Sequence, residues 1–208
     1  MTIQKLLSAQ LSQPAGIAGR VTGLLMDMGN REMYSLLIPE LKLERGMVVM
    51  EAGFGSGRHI SRILSLVPGL TYYGIDISDT MVRYSCGYNR LAIEQERVHL
   101  RKAPISDIPF PDAMFDAILT VNTIYFWKNN MAVLSELKRV LKPGGRLTIG
   151  ANSREEMVRR KYRKKYFSFF DREEIEQLVE ENGLSVTSSF YTKLKIEDCI
   201  GVTAIKDL

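Results

Sequence analysis

The sequence predicts an α/β fold built on a largely parallel sheet, and three observations carry that expectation. Apolar, strand-like runs alternate with helix-like runs along most of the chain, the pattern of strands joined by right-handed helical crossovers. "MVVMEAG", residues 47–53, is a continuous apolar run of the kind a central strand needs when both its faces are covered. It feeds "FGSGRHI", a glycine-rich turn that opens a helix. At 208 residues, 45% hydrophobic and 25% charged, the chain is long enough for one domain with a sizeable core and short for two.

The elements follow in order. "RHISRILSLV" places Ile60, Ile63, Leu64 and Val67 at helical spacing and stops at Pro68-Gly69. "LTYYGID" is a second strand, and "SDTMVRYSCGYNRLAI" a second helix with Ser78 as N-cap. "VHLRKA" and "FDAILTVN" are two more strands. "NNMAVLSELKRVL" sets Leu134, Leu137 and Leu141 on one helical stripe and closes at Lys142-Pro143-Gly144-Gly145. "GRLTIGAN" is a fifth strand. "DREEIEQLVEENG" carries Asp171 and Glu174 in capping-box spacing and ends at Asn182-Gly183. "LSVTSSFYTKL" and "IGVTAIK" are strand-like.

Bulk properties exclude several classes. No apolar run reaches the 18 or so residues of a membrane-spanning helix, and the first residues lack the apolar stretch of a secretory signal. Cys86 and Cys199 are far apart, which suits a reducing cytoplasm. A net charge of +4 is mild for a nucleic-acid binder. No His, Cys and carboxylate cluster has metal-site spacing, so no metal is expected.

The glycine turn is the informative motif. Gly53, Gly55 and Gly57 give G-x-G-x-G, with Arg58 where the dinucleotide fingerprint has its third glycine. Asp76 ends the next strand, 19 residues past Gly57, where a carboxylate can accept both hydroxyls of a ribose. Glu51 sits just before the turn and would repel a pyrophosphate in a partly desolvated cleft. A ligand with a ribose, no phosphate and a positive charge meets all three conditions, and S-adenosylmethionine is one.

The chain resembles the class I S-adenosylmethionine-dependent methyltransferases, and within them the type 11 group that includes ubiquinone and menaquinone biosynthesis methyltransferases. The resemblance rests on "VVMEAGFGSG", "YYGIDIS", "IPFPDAMFDAILTVNTIYFW" and "LKRVLKPGGRL". It implies a Rossmann-like three-layer sandwich whose seven-stranded, mostly parallel sheet carries the last strand antiparallel beside the fifth. It implies that Glu51, Gly53, Phe54, Gly55 and Gly57 line the methionine side, that Asp76 holds the ribose, and that Ile77 and Met81 lie against the adenine. Asn122 would sit near the reacting methyl. Family members commonly carry an Asp for the adenine amino group after the third strand, where this chain has Pro104. Backbone groups of Ala103 and Ile105 would then meet the adenine edge, with Asp107 a possible substitute. S-adenosylhomocysteine is the implied product.

Two further segments bear on function. Residues 14–34, with Gly16, Gly19, Gly23 and Gly29, are expected to be a mobile cover over the cofactor, with Asn30 and Tyr34 as its polar contacts. "REEMVRRKYRKKYFSFF", residues 154–170, is basic with interleaved aromatics. It is read first as a lid whose Tyr162, Tyr166, Phe167 and Phe169 wall an acceptor pocket, next as a solvated helix face, and last as a nucleic-acid patch. The expected organisation is a cover over 1–45, a cofactor core over 46–152, and a lid with terminal strands over 153–208. His59 and His99 are expected to be structural, and Tyr125 to face the site mouth as an aromatic contact. The sequence thus predicts methyl transfer to a small-molecule acceptor. An RNA or protein acceptor using 154–170, or a binding module without turnover, are the alternatives. The acceptor, the general base and the oligomeric state are not legible.

Overall fold

The computed structural model of the chain describes residues 29–208. Seven strands, β1 (Val48–Ala52), β2 (Thr71–Asp76), β3 (Val98–Lys102), β4 (Phe115–Val121), β5 (Leu141–Ala151), β6 (Ser185–Lys193) and β7 (Asp198–Ile205), form one sheet in the order β3-β2-β1-β4-β5-β7-β6. The pairs β1–β2, β1–β4, β2–β3 and β4–β5 are parallel. β7 runs antiparallel between β5 and β6. The Rossmann-like sheet with its inverted last strand is therefore present as expected.

Alternation along the strands covers both faces. In β4, Ile118 points into one apolar cluster and Ala117 and Leu119 into the other. The first cluster takes Val133, Leu134, Leu137 and Val140 from α4 (Asn130–Val140), and Ile175 and Val179 from α6 (Arg172–Glu181). The second takes Ile60, Ile63 and Leu64 from α1 (Ile60–Leu66). It also takes Met33, Leu37, Ile38 and Leu41 from helical residues 29–37 and the 3-10 turn that follows. Among the described residues no helix is long and apolar enough to cross a membrane.

Caps fall where the sequence places them. Ser78 accepts from the N–H of Met81 at 3.2 Å, and Asp171 and Glu174 complete a capping box. Two elements differ from the expectation. The second helix is two: α2 (Asp79–Tyr88) and α3 (Arg90–Glu94) part at Asn89, whose amide donates to the carbonyls of Gly57 and Ser85 at 3.0 Å each. Asparagine side chains compete with helix hydrogen bonding, and this one ties the helix to the glycine turn. β5 begins at Leu141, not after the Lys142–Gly145 turn. Leu141 pairs with Phe115 and the next partners are Arg146 and Ala117, so the turn is a bulge within the strand.

Candidate active site

The strand order reverses about β1, which has β2 on one side and β4 on the other. At such a switch point the loops leaving the carboxyl ends of the strands splay apart and open a crevice. A cleft of about 580 Å³ lies there, within the usual size of a small-molecule site. Its walls come from the loops after β1, β2, β3 and β4, and from Asn30 and Tyr34 of the first helical residues.

The turn after β1 supplies Gly53, Phe54 and Gly55 to the cleft. Gly53 has φ +82°, and a Cβ there would lie 2.4 Å from the Thr123 side chain, so only glycine lets the loops after β1 and β4 meet. Gly57 is not among the lining residues; a Cβ on it would lie 1.9 Å from Ser85 Oγ, so it seats the turn on α2. Asp76 closes the floor at 7% exposure. Its two oxygens accept from the N–H groups of Gly55 at 2.9 Å and Ser78 at 2.8 Å. Burial pushes its carboxyl up from an ordinary 3.8 to about 6, against the pull of those two bonds, and Glu51 adds to the rise. Ile77, Met81, Ala103, Pro104 and Ile105 complete this end. Asp107 is exposed and does not line the cleft.

Glu51 does not line the cleft either. It is fully buried on the face of β1 that looks toward the N-terminal helix. Oε1 accepts from the Tyr34 hydroxyl at 2.6 Å; Oε2 accepts from the Tyr72 hydroxyl at 2.6 Å and meets His59 Nε2 at 2.7 Å. Three partners make a buried carboxylate tolerable. Tyr34 stacks on His59 with ring centroids 3.9 Å apart and lines the cleft. Glu51 thus reaches the cleft through Tyr34. The two histidines sit in packed surroundings: His59 here, and His99 stacked on Tyr73 at 4.5 Å.

At the opposite end, Asn122 lies just past β4 with φ +56°, a left-handed conformation that asparagine tolerates better than most residues. Its amide donates to Asn30 Oδ1 at 2.8 Å, and its Oδ1 accepts from the Tyr125 hydroxyl at 2.8 Å. Tyr125 is buried and is not among the lining residues, which corrects the expectation that it faces the mouth. Phe126 and Trp127 take that place. The Trp127 indole donates to Thr123 Oγ1 at 3.2 Å and so has a partner for its N–H while its ring faces the cleft. These two, with Ser106, Lys128 and Asn129, line the cleft without having been expected from the sequence, although "IYFW" belongs to a motif that carries the family resemblance.

Residues 154–170 supply none of the lining. They open with α5 (Arg154–Arg159). Phe167, Phe169 and Phe170 are buried in the first apolar cluster, with Tyr162 and Tyr166 packed against it. Phe167 lies 5.4 Å from Phe126, so the segment buttresses a cleft wall from behind. Several of its arginines are engaged: Arg154 with Asp171 at 2.6 Å, Arg159 with Glu156 at 2.7 Å, and Arg160 with Glu156 at 2.6 Å. Residues 14–28 of the expected cover lie outside the described residues; 29–34 are helical, and Asn30 and Tyr34 reach the cleft.

Comparison with known proteins agrees with this architecture. Residues 50–149 match the family model described as a methyltransferase domain. An uncharacterized methyltransferase of Bacillus subtilis, YdaC, is 27% identical over 135 residues, 65% of this chain and 72% of its own. The ubiquinone/menaquinone biosynthesis C-methyltransferase of Geotalea daltonii is 30% identical over 123 residues, 58% of this chain and 52% of its own. A crystal structure of a SAM-dependent methyltransferase from Aquifex aeolicus superposes with a TM-score of 0.72 at 24% identity, covering 89% of this chain and 97% of that one.

Proposed function

We propose that the chain transfers the methyl group of S-adenosylmethionine to a small-molecule acceptor, a premise supported by the match of residues 50–149 to the methyltransferase-domain family model. The observation that carries the reading is Asp76. A carboxylate on the floor of the cleft, held by two backbone N–H groups, keeps lone pairs for the hydroxyls of a ribose and repels a phosphate. The residues fit the rest of the cofactor. Ile77 and Met81 offer an apolar face to the adenine. Ala103, Pro104 and Ile105 offer backbone to its edge. Gly53, Phe54 and Gly55 border the methionine part under Asn30 and Tyr34. Glu51 and Gly57 act from behind, the one by holding Tyr34 and the other by seating the turn.

When bound, S-adenosylmethionine supplies a methyl already activated by its sulfonium. The protein's own task is alignment and exclusion of water. Asn122, fixed from both sides by Asn30 and Tyr125, borders the place where the acceptor atom approaches in line. Phe126 and Trp127 give that side an apolar wall. We read residues 1–45 as cover, 46–152 as cofactor core and 153–208 as support for the acceptor side, in a cytoplasmic enzyme. Calorimetry with S-adenosylhomocysteine and NAD tests the cofactor assignment. Micromolar S-adenosylhomocysteine binding with much weaker NAD binding is expected, and the reverse order overturns it.

A further inference from the structure

A second polar cluster lies beyond Asn122, on the side of the cleft away from Asp76. Asn152 follows β5 directly and Glu197 directly precedes β7. Asn152 Nδ2 donates to Glu197 Oε2 at 3.1 Å. The hydroxyl of Tyr125 accepts from the backbone N–H of Asn152 and donates to Asn122 Oδ1, so one tyrosine links this cluster to the cleft wall.

The cluster is incompletely satisfied. Asn152 and Glu197 are 5% and 6% exposed. Among the described residues, Glu197 Oε1 and Asn152 Oδ1 nonetheless have no hydrogen-bond partner. Buried polar atoms are almost always paired, and an orphan points to an occupant. Both orphans are acceptors, so the occupant must donate at least two hydrogens. Charge narrows it further. Glu156, Glu197 and Asp198 are all buried, and among the described residues the arginines paired with Glu156 and Glu197 are Arg159 and Arg160, which leaves one carboxylate in excess there. Glu156 takes both arginines, Asp198 accepts from Ser153 N and Oγ, and Glu197 keeps only Arg160 at 3.2 Å, on Oε2. Burial pushes the Glu197 carboxyl up, with Asn152 and Arg160 pulling it down, so a cation beside it relieves a desolvated charge. There is also room. Gly29 faces Oε1 without a side chain, and a Cβ there would lie 3.4 Å from it. The next residue, Asn30, lines the cleft.

We propose that Glu197 Oε1 and Asn152 Oδ1 form a subsite for a primary ammonium group of the methyl acceptor, entered from the cleft when the hydrogen bond between Asn122 and Asn30 opens. An ammonium donates three hydrogens and carries the missing positive charge, whereas a hydroxyl donates one hydrogen and no charge. The assignment rests on the methyltransferase reading and specifies its substrate class.

The experiment uses wild-type protein, Glu197→Gln and Gly29→Ala. Each is first titrated with S-adenosylhomocysteine. The saturated proteins are then titrated with butylamine, phenethylamine and tryptamine, and with the alcohols of matching shape. The expected wild-type result is at least one amine bound tenfold or more tightly than its alcohol. Glu197→Gln removes the charge and Gly29→Ala caps Oε1, so both should lose that preference while S-adenosylhomocysteine affinity stays within about twofold. A wild type that binds S-adenosylhomocysteine but shows no amine preference, or variants that keep the preference, overturn the subsite alone. A folded wild type that does not bind S-adenosylhomocysteine overturns the methyltransferase reading and the subsite with it.

Discussion

Cofactor affinity should switch off in acid, and Asp76 sets where. A ribose hydroxyl needs the ionised carboxylate as acceptor, but burial holds the free protein's Asp76 at about 6. Binding therefore favours the deprotonated form, and the bound carboxyl titrates lower than the free one. Affinity is nearly complete about one pH unit above 6 and falls as pH drops through 6. At pH 5 about one molecule in eleven is ionised, so the Kd for S-adenosylhomocysteine should be roughly tenfold higher than at pH 7.5, a loss of ~1.4 kcal/mol. Calorimetry at half-unit steps from pH 7.5 to 5, with circular dichroism to confirm folding, gives the curve. Asp76→Asn isolates the group. It should weaken binding at pH 7.5 by roughly 1.5–3 kcal/mol, the scale of hydrogen bonds to a charged partner, and should flatten the pH dependence. A wild-type Kd that does not change between pH 7.5 and 5, or a variant that keeps the full acid slope, would refute the reasoning.

Other perturbations separate scaffold from site. Gly57→Ala forces a Cβ to 1.9 Å from Ser85 Oγ at φ +66°, and should cost about 2 kcal/mol or more in urea unfolding. Tyr34→Phe leaves Glu51 Oε1 without that donor. It should cost roughly 1–3 kcal/mol, read as a fall in Tm, and should weaken S-adenosylhomocysteine binding because Tyr34 also lines the cleft. Paired replacement of Tyr162 and Tyr166 by Ala strips packing from the first apolar cluster; a loss near 2 kcal/mol is expected, with cofactor affinity nearly unchanged. Replacing the exposed Lys164 and Lys165 by Gln should move stability by less than about 0.5 kcal/mol. Salt-sensitive RNA binding that the same replacement abolishes would instead favour a nucleic-acid acceptor.

The core elements were legible because their signals are local. The apolar run 48–52, the glycine turn and the spacing of Ile60, Ile63 and Leu64 each state a strand, a turn and a helix without reference to the rest of the chain. The antiparallel insertion of β7 between β5 and β6 is not stated by any residue pattern and came from the family resemblance. Asn89 looked like one more helical position, because its break depends on carbonyls of Gly57 and Ser85 that only tertiary structure brings to it. Asp76 was readable from its place after the glycine turn. Glu51 is expected from the sequence on the methionine side of the cleft, whereas it lies buried behind it. The side to which a buried strand residue points follows from the pleat, and the partners Tyr34, Tyr72 and His59 come from three separate elements. The segment 154–170 looked like a lid because aromatics among charges suggest an amphipathic cover, whereas Phe167, Phe169 and Phe170 complete the core.

The position of β7 sets an order of assembly. β6 is made first but borders nothing except β7, so it has no place in the sheet until its successor exists. The two are joined by four residues, 194–197, and pair antiparallel, a local contact that forms early relative to sheet-wide pairing. They can therefore dock onto β5 as a ready-made hairpin. Until then β5 is an open edge of eleven residues, and unpaired edges of that kind recruit other chains. A translation stop or a nick before residue 198 would accordingly remove two strands and leave a sticky border behind. The glycine turn and Asp76 stand on β1 and β2 and need neither strand, but the helical residues that carry Asn30 and Tyr34 rest on Cys199 of β7, so that wall of the crevice and Glu197 belong to one late step of maturation.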